Sequence, residues 1–308
     1  MIKRRNILQI TAGVGACLSF GAVSQAAEPG ALTVVAAWPE GGPSTYFANV
    51  VAKSLGAAGF KVAIQYGADP ISAARTVVEA GPAGDALFVG PIWDILRLDP
   101  SQGQKLAPVA KLIDGFSTAL VVSEASPIKS WGDFEAAAKS RKLRGGVRAR
   151  NDAWGITFGI LEKRPGFIPF EDVKVGSALR LVDVVATGKA DFATIGTPTF
   201  LDTQKNKPSL RPILTFGGER NNDVAVPTLR EQSGDRELAY TSSYGVFAAQ
   251  RIQPDKIKTL TATLIKLDQD ADAIKEAAAR YYKLHVSGPD VVIETMKREE
   301  RVMKAFGG

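Results

Sequence analysis

One cysteine and one histidine in 308 residues remove most active-site chemistry at the outset. Cys17 falls in the N-terminal leader, so a processed chain has no thiol nucleophile and no disulfide. His285 alone cannot assemble a histidine-based metal site, and a Ser/His/Asp triad would have to recruit that one residue. Its simplest reading is a helix-end histidine near Lys283. Gly-x-Ser-x-Gly, the phosphate-loop signature and His-Glu-x-x-His are all absent. An excess of one charge is missing too. The net charge is +6, and without Lys3, Arg4 and Arg5 the chain has 35 basic residues against 32 acidic. That balance is too even for a nucleic-acid partner. Beyond the leader, no stretch approaches the ~18 uninterrupted apolar residues of a transmembrane helix.

The N-terminus is present and legible. Met1–Asn6 is a short basic segment, Ile7–Val23 follows without charge, and Ser24-Gln25-Ala26 places small side chains at a cleavage site. The pattern is that of a cleavable export signal over residues 1–26. Lys3-Arg4-Arg5-Asn6-Ile7-Leu8 also resembles a twin-arginine signal, although two arginines equally suit an ordinary basic leader. Val14-Gly15-Ala16-Cys17 resembles a lipoprotein box, but the apolar run continues past it to Val23.

From Leu32 onward, short β-branched runs alternate with amphipathic helical stretches. Strands are expected at Leu32–Trp38, Lys61–Gln65 and Ala86–Val89, with helices over Tyr46–Leu55 and from the Asp69 cap to Val78. A second cycle has strands at Thr118–Ser123, Leu143–Arg148, Val173–Val175 and Asp191–Ile195. Its helices run from a Ser130–Asp133 capping box to Lys139, over Ala153–Glu162, and over Ala178–Ala186 up to Gly188. Later strands are expected at Arg211–Phe216 and Tyr244–Ala249, with helix from Pro254 on. Two β-α-β cycles joined near 115–125 and 235–250 predict two Rossmann-like α/β lobes built on parallel sheets. The expected division is 27–116 plus 245–308 for one lobe and 117–244 for the other. Ligands of such sheets sit beyond the carboxyl ends of the strands. The loops after Trp38, Tyr66, Val89, Arg148, Val175 and Ile195 therefore form the candidate surface.

The most informative loop is Pro39-Glu40-Gly41-Gly42-Pro43-Ser44-Thr45. Gly41 and Gly42 allow the backbone to approach a ligand, and the helix that follows presents unpaired N–H groups. Ser44 and Thr45 can cap that helix or donate to a carboxylate. In the loop from Arg148 to Trp154, Arg148 or Arg150 can fork onto a carboxylate, with Trp154 as an apolar wall. The same arginines can instead pair with Asp152. Trp38, Tyr66 and Trp93 are candidates for the cleft or the core, and Asp191 and Arg180 read as structural.

Five segments in order resemble the Bug family of periplasmic receptors that serve tripartite tricarboxylate transporters. They are Trp38-Pro39-Glu40-Gly41-Gly42, Gly67-Ala68-Asp69-Pro70, Pro82-Ala83-Gly84-Asp85, Gly188-Lys189-Ala190-Asp191, and Arg220 followed by Val226-Pro227-Thr228-Leu229-Arg230-Glu231. The resemblance spans residues 32–306. It implies a periplasmic binding protein of the type II fold, hinged around a central cleft. It also implies a bound carboxylate held by the first two loops, here Gly41, Gly42, Ser44, Thr45, Gly67 and Ala68. The family commonly has an acidic residue where Thr45 stands, which suits amino-bearing ligands, so Thr45 leans the expectation towards a plain carboxylate. The second loop is also shorter than the family's, with Asp69-Pro70 in place of glycines.

The expected function is that of a monomeric periplasmic receptor that takes a small organic acid to membrane permease subunits, without cofactor and without catalysis. A sensory binding protein that signals to a membrane partner shares the same features. An exported hydrolase would need a positioned base, and only carboxylates are on offer.

Overall fold

In this computed structural model the described residues are 32–80, 85–99, 103, 105–206, 208–234 and 239–306. The leader, with Cys17, and Pro82-Ala83-Gly84 lie outside them.

The first cycle begins with β1 (Leu32–Ala36), α1 (Pro43–Ala57), β2 (Val62–Tyr66), α2 (Pro70–Glu79), β3 (Ala86–Pro91) and α3 (Ile92–Leu96). β1 lies between β2 and β3, parallel to both. Local chemistry sets these boundaries. Asp69 Oδ1 accepts from the Ile71 and Ser72 amides at 2.8 and 3.0 Å, and Pro70 takes the first helical position, where its missing N–H costs nothing.

β4 (Leu106–Ile113) then crosses into β5 (Phe116–Ser123), followed by α4 (Trp131–Ser140), β6 (Arg144–Val147), α5 (Ile156–Glu162) and β7 (Glu171–Lys174). Next come α6 (Ala178–Ala186), β8 (Phe192–Gly196), α7 (Thr197–Asn206), β9 (Leu210–Thr215) and α8 (Leu229–Ser233). Ser130 caps α4 by accepting from the Asp133 amide at 3.2 Å, while Asp133 accepts from Lys129 N at 2.9 Å. Gly188 turns the chain after α6 at a φ of +71°. The chain returns through β10 (Thr241–Ser242) and β11 (Tyr244–Ala249). It closes with α9 (Pro254–Ile265), α10 (Ala271–Ala279), β12 (Leu284–Ser287) and α11 (Pro289–Phe306).

Two six-stranded sheets result. The first has the order β12-β4-β11-β3-β1-β2, and the second has β10-β5-β8-β6-β7 with β9 against β5. Both are mixed. The expected parallel pairing is found among β1 to β3 and β6 to β8. β11, β4 and β12 run antiparallel to their neighbours, as do β5, β9 and β10. One core fills each face of the first sheet, and a third, rich in phenylalanine, fills the second lobe. In that third core Phe134, Phe158, Phe170 and Phe192 meet at centroid distances of 4.8 to 6.2 Å.

The lobes are joined at Asp114-Gly115 and at Ser243, and these two crossings run side by side. A Cβ on Gly115 would lie 3.0 Å from Thr241 Oγ1, so the contact admits little but glycine. α11 makes a third link, with Val302, Met303 and Phe306 packed on the second lobe's core.

Three expectations need correction. The region after Pro254 is not wholly helical, because β12 pairs with β4. His285 therefore lies on a strand rather than at a helix end, 3.4 Å from Asp268 and half exposed. The helix expected over Ala153–Glu162 begins at Ile156, since Asp152 holds the preceding residues in a tight turn. Among the described residues no helix is long and apolar enough to cross a membrane.

Candidate functional site

Between the lobes lies a cavity of about 110 Å³. Its first wall is the loop after β1, from Trp38 to Ser44, joined by Pro91 and Tyr244. The opposite wall comes from the second lobe: Arg148, Ala153 and Trp154, and the segment Gly176-Ser177-Ala178.

Two helix N-termini open onto this space. α1 has no side-chain cap, and Pro43 occupies its first position. The Ser44 and Thr45 N–H groups are therefore left without intrahelical acceptors. Gly41 turns the loop at a φ of +106°, and neither Gly41 nor Gly42 has an atom within 4 Å of where a Cβ would stand. The opening beside the loop is real space. Ser44 Oγ is buried and lies beside the Tyr244 hydroxyl. From the second lobe, α6 presents Ala178 at its first turn behind the Ser177 cap. Thr45 has a different role, since its Oγ1 accepts from the Gly41 amide at 2.9 Å and shapes the turn.

Arg148 is the cation of the cavity. Its guanidinium carbon lies 4.6 Å from the Trp38 ring centre and 4.4 Å from that of Trp154. Its Nη2 pairs with Asp152 Oδ2 at 2.9 Å. Asp152 Oδ1 accepts from the Trp154 and Gly155 amides at 2.8 and 2.6 Å. A single buried carboxylate thus orients both the arginine and the tryptophan. Gly155 is required by the same turn, because a Cβ there would meet Ala149 O at 1.9 Å. The Trp154 carbonyl is held by Thr157 and Thr194 hydroxyls at 2.6 and 3.0 Å.

Beneath this layer sits Asp94, on α3 and buried, paired with Arg97 at 3.3 Å. Burial raises its carboxyl to about 6, with Arg97 opposing and Asp152 reinforcing the rise. At the crossing itself, Glu299 is buried beside Ser243, whose amide and hydroxyl approach its carboxyl. Burial lifts it to about 8.

The other expected residues fall elsewhere. Arg150 turns away from the cleft, with Nε 2.6 Å from Asp172, Nη1 2.8 Å from Glu162 and Nη2 3.2 Å from the Phe170 carbonyl. Gly67 donates to Ala36 O at 2.9 Å and is packed against Ala73, and neither it nor Ala68 lines the cavity. Trp93 is wholly buried, and its indole N–H donates to Asn151 O at 2.8 Å. It is a core residue that ties the lobes together, while Tyr66 stands exposed at the sheet edge. Asp191 accepts from the Arg144 amide at 2.7 Å, and Arg180 pairs on the surface with Asp183.

Sequence reasoning did not single out Tyr244, Ser177 or Ala178. Tyr244 opens β11, which runs antiparallel to β3 and pairs with Pro91. Its first residue, rather than its last, therefore reaches the cleft. Among the described residues no group of three or more His, Cys, Asp or Glu is placed to hold a metal.

No protein-family model and no curated protein matches the chain. Its fold is nevertheless that of solved periplasmic binding proteins. It is similar to Rpa4515 of R. palustris, solved with adipate, at a TM-score of 0.76 and 18% identity, over 89% of this chain and 96% of that one. The periplasmic binding protein BugD gives a TM-score of 0.76 at 13% identity, over 90% and 96%. MatC from Rhodopseudomonas palustris, with bound malate, gives 0.73 at 19% identity, over 88% and 98%.

Proposed function

We propose that the protein is a periplasmic solute-binding receptor for a small organic acid, serving a tripartite tricarboxylate-type transporter. One observation carries the reading: two helix N-termini, one from each lobe, meet an arginine and a buried serine hydroxyl at the same cavity. Backbone N–H groups and a helix dipole favour an anion, and Arg148 supplies a fork of donors that matches a carboxylate. Gly41, Gly42, Ser44, Arg148 and Trp154 are the ligand-binding residues in this reading. Adipate and malate in the two similar structures from R. palustris point the same way.

The two lobes close on the ligand about the crossings at Gly115 and Ser243. Closure then presents the loaded protein to permease subunits. Residues 1–26 direct export and are removed. Binding and release need no bond-making, and the cavity has no histidine or cysteine to carry it.

A thermal-shift screen against carboxylates, amino acids, sugars and metal salts tests the reading. A ligand at about a hundred times its Kd adds ~2.7 kcal/mol to stability, which is readily seen as a raised midpoint. A rise confined to carboxylates supports the receptor. A rise with sugars or metals and none with acids rejects the assignment.

A further inference from the structure

The cavity walls carry one cation, Arg148, and one acid, Glu40. Part of the arginine's charge is already met by Asp152. What remains, with two helix ends worth about half a charge each, suits one carboxylate. The rest of the wall is apolar or aromatic, with Trp38, Trp154, Tyr244 and Pro91 its largest surfaces.

Size points the same way. An apolar cavity of about 150 Å³ holds benzene, so about 110 Å³ admits a body of roughly four carbons. A longer ligand would leave past Gly41, Gly42, Pro43 and Ala178, which also border a wider opening of about 450 Å³. That opening carries Asp202 and Glu276 against Arg280, and Arg280 lies over the Tyr46 ring at 5.1 Å. Asp202 is paired with Lys205 at 3.5 Å, so the acid that a second carboxylate meets on leaving the cavity is Glu40 at its rim. Like charges at such sites suppress binding.

We infer that the ligand is a compact monocarboxylate with an apolar body, and that Glu40 at the rim rejects dicarboxylates. This rests on the receptor reading and adds to it the number of charges and the shape of the ligand.

The test measures calorimetric affinities of the protein, produced from the full chain, for matched pairs of acids: butanoate with succinate, and pentanoate with glutarate. The single acid of each pair is expected to bind at least tenfold more tightly. A Glu40→Gln variant is expected to narrow that gap several-fold by admitting the diacid. Equal or tighter binding of the diacids overturns the inference and leaves the receptor reading standing, as does an unchanged gap in the variant for the rim's part in rejection. Failure of all four acids to bind, with a sugar or metal binding instead, overturns both.

Discussion

The guanidinium of Arg148, carried by the second lobe, lies 4.6 Å from the centre of the Trp38 ring, carried by the first. The Trp154 ring, at 4.4 Å, completes a cation layered between two indoles from opposite lobes. Such contacts are worth ~0.5–2 kcal/mol. Arg148 therefore contributes to closure as well as to recognition. The Trp93 to Asn151 hydrogen bond at 2.8 Å is a second tie across the same boundary.

Replacement of Arg148 by alanine should lower ligand affinity about ten- to a hundredfold, the equivalent of ~1.5–3 kcal/mol for a charge-assisted hydrogen bond. Arg148→Lys should recover part of this, since it keeps the charge but neither the fork nor the stack. Titration calorimetry of both variants checks the expectation. Wild-type affinity in Arg148→Ala would remove this residue from the site.

Arg150→Ala should behave in the opposite manner. Its two ion pairs and its place over the Phe158 ring at 4.8 Å hold α5 to β7. With the arginine partly exposed, the loss is expected to be about 1–2 kcal/mol of stability, with affinity unchanged within about twofold. Urea unfolding read beside calorimetry separates the two arginines.

The first loop predicts a contrast between glycines. Gly41 sits at a φ of +106°, a conformation that costs another residue ~1–3 kcal/mol. Gly41→Ala should therefore distort the loop and weaken binding. Gly67→Ala would place a Cβ 2.7 Å from that of Ala73, so it should lower the unfolding midpoint and spare affinity in the variant that still folds.

Above about pH 5, where the ordinary carboxyls are already ionised in both states, stability should fall as pH rises. Glu299 keeps its proton in the folded protein up to about 8, against an ordinary value of 4.5. Asp94 keeps its proton up to about 6, against 3.8. Between those limits the unfolded chain has released protons that the folded one retains, so the folded state loses ground by up to ~1.4 kcal/mol per group per pH unit. Above pH 6 only Glu299 contributes of the two. Glu299→Gln should flatten the decline between pH 6 and 8 in urea-unfolding curves. An unaltered slope would place the buried proton elsewhere.

Much of the local architecture was legible in the chain. The helix expected over Ala178–Ala186 and the strand over Tyr244–Ala249 have those boundaries in the fold. Their periodicities are unmixed, and Ser177 and Gly188 mark the helix ends. The Arg220 and Val226–Glu231 segments also find their reason: Glu231 accepts from the Thr228 amide at 3.2 Å and pairs with Arg220 at 2.9 Å. β4 and β12 escaped notice. Pro108 and Lys111 interrupt the apolar pattern of β4, and β12 has four residues among helices, so neither carries enough alternation to be read.

What the amino-acid order determined by itself was the alternation of elements, their caps, the glycine turn after β1 and the lack of any histidine or cysteine constellation, because each depends on neighbours within a few residues. The tertiary structure decided which arginine meets the cleft. Arg148 and Arg150 are two apart, and strand alternation puts such residues on one face. The chain leaves β6 at Val147, however, and the turn clamped by Asp152 swings Arg150 back onto Phe158 while Arg148 stays between the indoles. The same holds for Tyr244 and for buried Glu299, which owe their places to an antiparallel return strand and to a helix that crosses between lobes, relationships that no local pattern encodes.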